Sequence, residues 1–175
     1  MPPLFHFVPS PMAGTVLYPL NELKQHEPEI WRREVAKYDG REQLLEMPIP
    51  PLGCLWNDVL HLSIVHPREI VAELEAAGVE PLRRRFFEFD AGVFDPERTV
   101  IFLNRPTDVA ARSDDSQWLP FESANLDRLV ELTEPTRRYY RECAMRRERP
   151  RLFAHLPHVF YRAALETRAL PQLEV

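Results

Sequence analysis

The sequence RFFEFDAGVFDPERTVIFL, residues 85–103, contains the two clearest strand patterns of this chain. Aromatic and β-branched residues fill both of its ends, from Arg85 to Phe89 and from Thr99 to Leu103, and these residue types favour strands. The turn Asp95-Pro96-Glu97 lies between them, so the stretch predicts a hairpin with an irregular insert. A sheet that contains both strands is the starting point for the fold.

Strand and helix patterns alternate on either side of this stretch. Leu4 to Val8 reads as a short buried strand that ends at the Pro9-Ser10-Pro11 turn. Three prolines at positions 48, 50 and 51 predict an irregular segment, and the polar residues 104–120 predict a loop. The remaining strand patterns lie at 56–65, 152–161 and 173–175, and the helix patterns lie at 28–38, 67–78, 126–132 and 135–147.

This order of elements predicts one α+β domain that spans residues 1–175. A chain of 175 residues has room for one ordinary core. None of the strand patterns carries the glycine-rich turn that parallel nucleotide-binding folds use, so we expect a mostly antiparallel sheet. We further expect this sheet to be split into two halves around a cleft.

The composition excludes several classes of protein. The chain has 18 prolines and only 5 glycines, and no two glycines lie close enough together to form a phosphate-binding loop. Its two cysteines are too few for a cysteine-rich zinc module or a disulfide framework. No apolar run approaches the ~20 residues of a membrane span, and the N-terminus lacks a basic signal region. We therefore expect a cytoplasmic protein without a membrane partner.

Positive charge is concentrated in one segment. The net charge is −5, yet the stretch Arg137–Arg151 holds seven arginines against two glutamates. Arginines next to Tyr139 and Tyr140 would offer phosphate contacts and a stacking surface for nucleic acid. A solvated helix face with glutamate partners explains the same pattern. The arginines that the first interpretation assigns to nucleic-acid binding are Arg137, Arg138, Arg141, Arg146 and Arg147.

The histidines raise the alternative of a metal-dependent hydrolase, with ligands drawn from His61, His66, His155 and His158 and from Asp58. The spacing argues against such a site. Residues 61 and 66 are five apart and face opposite sides of a continuing strand, and Pro157 prevents a helical ligand pair with residues 155 and 158. The simpler interpretation is that these imidazoles hydrogen-bond to the backbone.

Polar residues inside apolar segments predict a ligand pocket. A buried polar group without a partner costs roughly 1–3 kcal/mol, so such groups are paired with one another or left for a ligand. An alternative for Asn57 and Asp58 is that they cap turns. The predicted pocket residues are His6, Tyr18, Asn21, Trp56, Asn57, Asp58 and His61.

The order of short motifs resembles the DarT-type ADP-ribosyltransferases, toxins that modify DNA bases from NAD. The first strand, Phe5-His6-Phe7-Val8, resembles the histidine-bearing strand that opens that family. The segment IPPLGCLWNDVLHL, residues 49–62, and the following Val65-His66-Pro67 resemble its proline-rich turn, apolar strand and helix start. The C-terminal segments 156–161, 169–171 and 173–175 resemble its closing strand, short helix and last strand.

This resemblance implies an ADP-ribosyltransferase-like fold and NAD as a substrate. His6 would hold the nicotinamide ribose, and Tyr18 or Trp56 would stack on the nicotinamide ring. Nucleic acid would be the acceptor, and an antitoxin protein a partner. The chain departs from the family at two places: Ser10-Pro11-Met12 replaces an Asn-Leu dipeptide, and His158 stands where the catalytic glutamate belongs. Glu166 is the nearest carboxylate downstream, so the resemblance implies catalytic residues His6, His158 and Glu166 and altered or lost transfer.

Two functions in addition to the transferase remain open from the sequence. The same fold would serve as a non-catalytic module that binds a nucleotide or nucleic acid. The histidine-based metal hydrolase is the other alternative. A carboxylate on the His6 side of the cleft, such as Glu166 or Glu46, would distinguish the transferase from the binding module.

Overall fold

The computed structural model describes residues 1–80, 83–106 and 114–175. Five α-helices form within these ranges: α1 (Leu20–His26), α2 (Pro28–Ala36), α3 (Pro67–Ala76), α4 (Ser123–Leu126) and α5 (Glu134–Arg146). Eleven strands accompany them in the described residues: β1 (Leu4–Phe7), β2 (Val16–Leu17), β3 (Pro48–Ile49), β4 (Cys54–Leu55), β5 (Leu60–Ser63), β6 (Arg85–Phe89), β7 (Thr99–Phe102), β8 (Trp118–Pro120), β9 (His158–Tyr161), β10 (Leu165–Glu166) and β11 (Gln172–Glu174). The fold is mixed α and β, as the sequence predicts.

A seven-stranded sheet forms the centre of the molecule, in the order β11-β6-β1-β5-β9-β7-β8. Each pairing that the described residues make in this sheet is antiparallel. The five segments that we expect to form this core are 4–8, 59–65, 85–89, 99–103 and 158–161, and each contributes a strand to the sheet. The hairpin expected between β6 and β7 is wrong, because three strands lie between them in the sheet. The turn at Asp95-Pro96-Glu97 is present, but the chain crosses the sheet after β6 instead of folding back beside it.

The expected split of the sheet needs a correction. The seven strands are continuous, but β1 and β5 are in register at only one position, Phe5 with Ser63. Each of these strands is joined to its other neighbour by four registered positions. Beyond Phe5, the last two residues of β1 have no partner on β5. The sheet is therefore one structure that opens locally between β1 and β5.

Apolar side chains pack on both faces of the sheet. One cluster contains Leu60, Leu62 and Phe87, and a cluster on the opposite face contains Phe160 and Phe102. Side chains alternate along a strand, and registered residues share a face. His6 is in register with Phe87, and His61 is in register with Phe160. The side chains of the two histidines therefore project from opposite faces of the sheet.

Proline-rich and C-terminal segments differ from the sequence expectations. Pro48 and Ile49 pair with Leu55 and Cys54 in a small hairpin, so the segment expected to be irregular contains β3 and β4. The helix expected at 126–132 lies earlier, as α4, and the predicted polar loop contains β8; part of that loop, residues 107–113, lies outside the described residues. The strand expected from residue 152 begins at His158.

The α-helices of the described residues are between 4 and 13 residues long. In the described parts of the chain, none of them combines the length and the apolar composition that crossing a membrane requires.

Candidate functional site

A cavity of about 520 Å³ lies at the open end of the β1–β5 junction. Its floor comes from β1, β5 and the turn Trp56–Asp58, and its cover comes from α1 and α2. The two covering helices contain no buried residue, and three of their apolar side chains line this space. The apolar lining from these helices consists of Leu20, Leu23 and Ile30. The volume falls within the range of small-molecule sites.

Two histidines from opposite faces of the sheet reach this cavity. His6 Nδ1 lies 2.6 Å from the Phe7 carbonyl oxygen, and His61 Nε2 lies 3.0 Å from the Trp56 carbonyl oxygen. A carbonyl oxygen only accepts hydrogen bonds, so each of these ring nitrogens carries a proton and donates it. The other nitrogen of each neutral ring, Nε2 of His6 and Nδ1 of His61, therefore keeps a lone pair.

Both imidazoles are held neutral by their surroundings. Burial lowers the pKa of His6 to about 4, although its hydrogen bond to Phe7 opposes the change. Burial also lowers the pKa of His61 to about 4, and the nearby His6 adds to this lowering because two charged rings would repel each other. Both side chains line the cavity. At neutral pH the site therefore offers two hydrogen-bond acceptors without a positive charge.

Asn57 adds a buried hydrogen-bond donor to the site. Its side chain is 2% exposed and lines the cavity, and its Oδ1 accepts a hydrogen bond from the Tyr38 hydroxyl at 3.1 Å. Its Nδ2 is buried and has no partner among the described residues. An unsatisfied buried amide costs free energy, so such groups in native structures require an explanation. A ligand atom that accepts a hydrogen bond from this N–H would supply the missing partner.

Charged side chains surround the cavity on the helix side. Lys37, Arg41 and Arg151 bring positive charge to its lining, and Glu27 and Glu34 bring carboxylates. Glu34 is paired with Lys37 at 2.5 Å. Glu27 lies where α1 meets α2, is half-buried, and forms no ion pair with a described residue. Sequence reasoning missed Glu27, because Glu27-Pro28-Glu29 also reads as an ordinary helix start.

The structure brings most of the predicted pocket residues together. His6, Tyr18, Trp56, Asn57 and His61 line the cavity. Asn21 and Asp58 do not line it but join its cover to its floor, through a 2.6 Å hydrogen bond from Asn21 Nδ2 to Asp58 Oδ1. Asp58 also accepts a hydrogen bond from Leu55 N at 2.8 Å, so the turn-capping interpretation holds for it.

The two candidate stacking residues differ in the ring surface that they present. Trp56 is 9% exposed and contacts the rings of His61, Phe102 and Phe160, so little of its surface faces the cavity. Tyr18 is half-buried, and one face of its ring stacks on His26 at 4.1 Å between centroids. A flat ligand ring therefore has more room against Tyr18 than against Trp56.

The other two residues assigned to catalysis lie outside this lining. The ring of His158 contacts Phe153, Phe160 and His61. Glu166 is exposed, and its Oε1 accepts hydrogen bonds from the backbone N–H groups of Thr167 and Arg168. A hydrogen bond that the Glu166 carboxylate accepts from the Thr15 side chain makes the largest contribution to lowering its pKa, and the backbone N–H groups of Arg168 and Thr167 lower it further. Neither side chain supplies the cavity with a carboxylate.

The arginines of α5 are largely engaged within the protein. Arg137 pairs with Glu73 at 2.7 Å, Arg141 with Glu134 at 2.7 Å, and Arg146 with Glu148 at 3.1 Å. Arg138 and Arg147 are exposed and form no ion pair with a described residue. This arrangement agrees with the solvated-face interpretation for three of the five arginines.

The histidine-based metal site is not formed by the described residues, where no group of three histidine, cysteine, aspartate or glutamate side chains could hold an ion. His66 instead caps α3, since its Nδ1 accepts a hydrogen bond from Arg68 N at 3.1 Å. His155 packs its ring against Tyr139.

The cavity can therefore accept two hydrogen bonds, donate one and offer cations to an anionic group. Ribose hydroxyls, ring nitrogens and phosphates have the complementary chemistry. No protein-family model, no curated protein and no solved structure matches this chain.

Proposed function

We propose that this chain is an ADP-ribosyltransferase-like protein that binds NAD in the cavity and transfers ADP-ribose to nucleic acid. The observation that carries the proposal is the meeting of His6, His61 and the unpartnered Asn57 amide at the local opening of the sheet. The sequence resemblance assigns the ribose contact to His6, and the cavity is consistent with that assignment.

The side chains present fit the groups that NAD carries. The lone pairs of His6 Nε2 and His61 Nδ1 can accept hydrogen bonds from ribose hydroxyls. Asn57 Nδ2 can donate to a carbonyl or ring nitrogen, which would satisfy a buried donor that otherwise has no partner. Arg41 and Arg151 line the cavity and would offer guanidinium groups to the pyrophosphate.

NAD supplies the bond that breaks, between the nicotinamide nitrogen and ribose C1′. Nicotinamide leaves with the bonding electron pair, the acceptor atom bonds to C1′, and the acceptor loses a proton. Positive charge develops on the ribose during this exchange, so a nearby carboxylate lowers the barrier. We assign this carboxylate to Glu27, the half-buried and unpaired one of the cavity lining.

Two assays on the purified protein test the proposal. Calorimetry measures NAD binding, and labelled NAD measures transfer to single-stranded DNA, RNA and protein. His6→Asn keeps the donor to Phe7 but removes the Nε2 lone pair, and we expect it to weaken NAD binding about tenfold. His66→Asn is the matched control, because residue 66 does not line the cavity and asparagine still caps α3. Failure of the wild-type protein to bind millimolar NAD would contradict the proposal.

A non-catalytic NAD-binding module on the same fold is the second candidate. It is favoured by the position of His158 and Glu166 outside the cavity lining. Binding of NAD without transfer to any acceptor would select this candidate. Transfer that is lost in the His6→Asn variant would exclude it.

A further inference from the structure

A groove of about 590 Å³ lies at the β8 edge of the central sheet. Its lining comes from β8 and the residues that follow it, from the turn before β7 and from the proline-rich segment after β3. None of the described residues lines both this groove and the cavity. We name it the β8 groove and define it by Leu52, Glu97, Asp115, Trp118, Pro120 and Glu122.

The lining of the β8 groove is negatively charged. Glu97, Asp115 and Glu122 are exposed, and none of them forms an ion pair with a described residue. Among the described residues, no lysine, arginine or histidine lines the groove. Carboxylates of one sign in a surface depression attract a cationic partner.

Two arginines line an adjoining recess together with Glu97 but do not pair with it. Arg98 pairs with Asp95 at 3.7 Å, and Arg162 Nη1 donates a hydrogen bond to the Leu52 carbonyl oxygen at 2.8 Å. Both guanidinium groups are therefore held by other atoms. The carboxylates of the groove stay available to a cation from another molecule.

Trp118 adds a buried hydrogen-bond donor to the groove. Its side chain is 8% exposed, and its ring packs against Phe102 at 4.8 Å and Phe160 at 5.8 Å between centroids. Its Nε1 is buried and has no partner among the described residues. An indole N–H only donates, so the atom that satisfies it must be an acceptor such as a carbonyl oxygen. A peptide that carries basic side chains offers both the acceptor and the cations.

The edge of β8 limits the way in which a peptide can bind. The Trp118 N–H donates to the Asp115 carbonyl oxygen. Pro120 has no N–H, and its carbonyl oxygen accepts a hydrogen bond from Asn125 Nδ2 at 3.0 Å. A partner strand would find few free backbone groups on such an edge. A polyproline II segment does not need them, because its backbone forms no ladder and its carbonyl groups stay free.

We propose that the β8 groove binds a proline-rich, arginine-bearing segment of a partner protein in the polyproline II conformation. Arginines of the segment pair with Glu97 and Glu122, and one of its backbone carbonyl oxygens accepts a hydrogen bond from Trp118 Nε1. Its prolines pack against the apolar lining. This inference goes beyond NAD binding and does not depend on it, because the groove and the cavity share no described residue.

Fluorescence anisotropy with labelled, end-blocked peptides tests the proposal. The probe is a peptide of three Pro-Pro-Arg repeats, whose arginines lie on one side of a helix with three residues per turn. Ala-Ala-Arg repeats keep the charge without the prolines, and Pro-Pro-Glu repeats reverse the charge. At low salt, the probe should bind about fivefold more tightly than the alanine peptide, because it is already extended. It should bind about tenfold or more tightly than the glutamate peptide.

Substitution of the groove carboxylates tests where the probe binds. The test variant is Glu97→Gln/Glu122→Gln, at two exposed positions where folding is not at risk. The matched control is Glu75→Gln/Glu131→Gln, at exposed positions that line neither the groove nor the cavity. The test variant should bind the probe about fivefold more weakly, and the control should stay within about twofold of the wild-type protein.

The indole N–H signals of ¹⁵N-labelled protein report on Trp118 directly. The chain has three tryptophans, and the signal of Trp118 is the one that Trp118→Phe removes. A new N–H···O hydrogen bond should move this signal downfield as the probe is added. The signal of Trp31 should stay in place, because Trp31 lines neither the groove nor the cavity.

Three results would overturn the inference: no binding of the probe at millimolar concentration, equal losses in the test and control variants, or a Trp118 signal that does not move at saturation. Equal affinity for the proline and alanine peptides would also contradict the polyproline II conformation.

A second copy of the chain is the other occupant to be tested, because residues 147–151 contain three exposed arginines and a proline. Light scattering over a range of protein concentrations measures self-association. We expect a monomer in both the wild-type protein and the test variant. Self-association that the test variant abolishes would assign the groove to a second copy and overturn the proposal of a partner peptide.

Discussion

His6 and His61 make the folded protein sensitive to acid. The pKa of each is about 4 in the folded state, against 6.5 for an ordinary histidine. At pH values between 4 and 6.5, the unfolded chain therefore binds more protons than the folded protein does. The free energy of unfolding falls as the pH drops through this range. Relative to pH 8, each histidine should remove about 2 kcal/mol from the free energy of unfolding at pH 5. Urea denaturation at a series of pH values measures this change.

Two substitutions isolate the histidine contribution. His6→Asn and His61→Gln each keep a side-chain N–H near the position of the protonated ring nitrogen, but neither new side chain titrates. Each variant should reduce the loss of stability between pH 8 and pH 5 by about 2 kcal/mol. An unchanged pH dependence in both variants would show that the imidazoles are not held neutral by burial.

Glu27 carries the second prediction at the residue scale. Glu27→Gln removes the charge from the cavity lining and keeps the shape of the side chain. Transfer from labelled NAD should fall by about 100-fold or more, while NAD binding changes by less than about threefold. Glu29→Gln is the matched control, because Glu29 lies two residues away, is exposed and pairs with Arg32 outside the cavity. Equal rates for the two variants would remove Glu27 from the mechanism.

At the residue scale, the sequence marks several residues that line the cavity, but it does not show which carboxylate lies among them. Polar residues within apolar segments marked His6, Asn57 and His61, and the structure places them around one cavity. The role of Glu27 could not be predicted, because its pattern is also that of a helix start.

At the scale of elements, α5 is joined to the segment that precedes β9. The Thr133 hydroxyl donates to the His155 carbonyl oxygen at 3.0 Å and accepts from Thr136 N at 3.3 Å as the cap of α5. Thr133→Ala should therefore lower the free energy of unfolding by about 1–2 kcal/mol in urea titrations. Thr133→Ser keeps the hydroxyl and should cost less than about half of that amount. Equal losses in both variants would show that the hydroxyl contributes nothing.

Strand positions were easier to predict than strand partners. The apolar alternation of β5 and the aromatic run of β6 identify strands locally. Adjacency in sequence suggested that β6 pairs with β7, whereas β1, β5 and β9 lie between them. Partners are chosen by long-range packing on both faces of the sheet, which a local pattern does not contain. Pro48 is a second example in which the local pattern was insufficient, because prolines predicted an irregular segment where β3 forms. A two-residue strand tolerates a proline that a longer central strand would not.

At the scale of the whole molecule, the two helices that cover the cavity are less deeply buried than the centre of the sheet. Neither α1 nor α2 contains a buried residue, whereas β7 is buried along its whole length. Hydrogen exchange should therefore be fast in residues 20–36 without ligand and slower at saturating NAD, with β7 and β9 protected throughout. Mass spectrometry of exchanged peptides measures the difference. Unchanged exchange in residues 20–36 under conditions where calorimetry shows NAD bound would place the ligand elsewhere.

A crystal structure of the protein with NAD is the measurement that tests the central claim most directly. The claim is that the local opening between β1 and β5 forms the NAD site. We predict NAD density in the cavity beneath α1 and α2, with a ligand hydroxyl within hydrogen-bond distance of His6 Nε2 and an acceptor atom within reach of Asn57 Nδ2. Density for NAD at another place on the surface, with Asn57 Nδ2 still unpartnered, would contradict the claim.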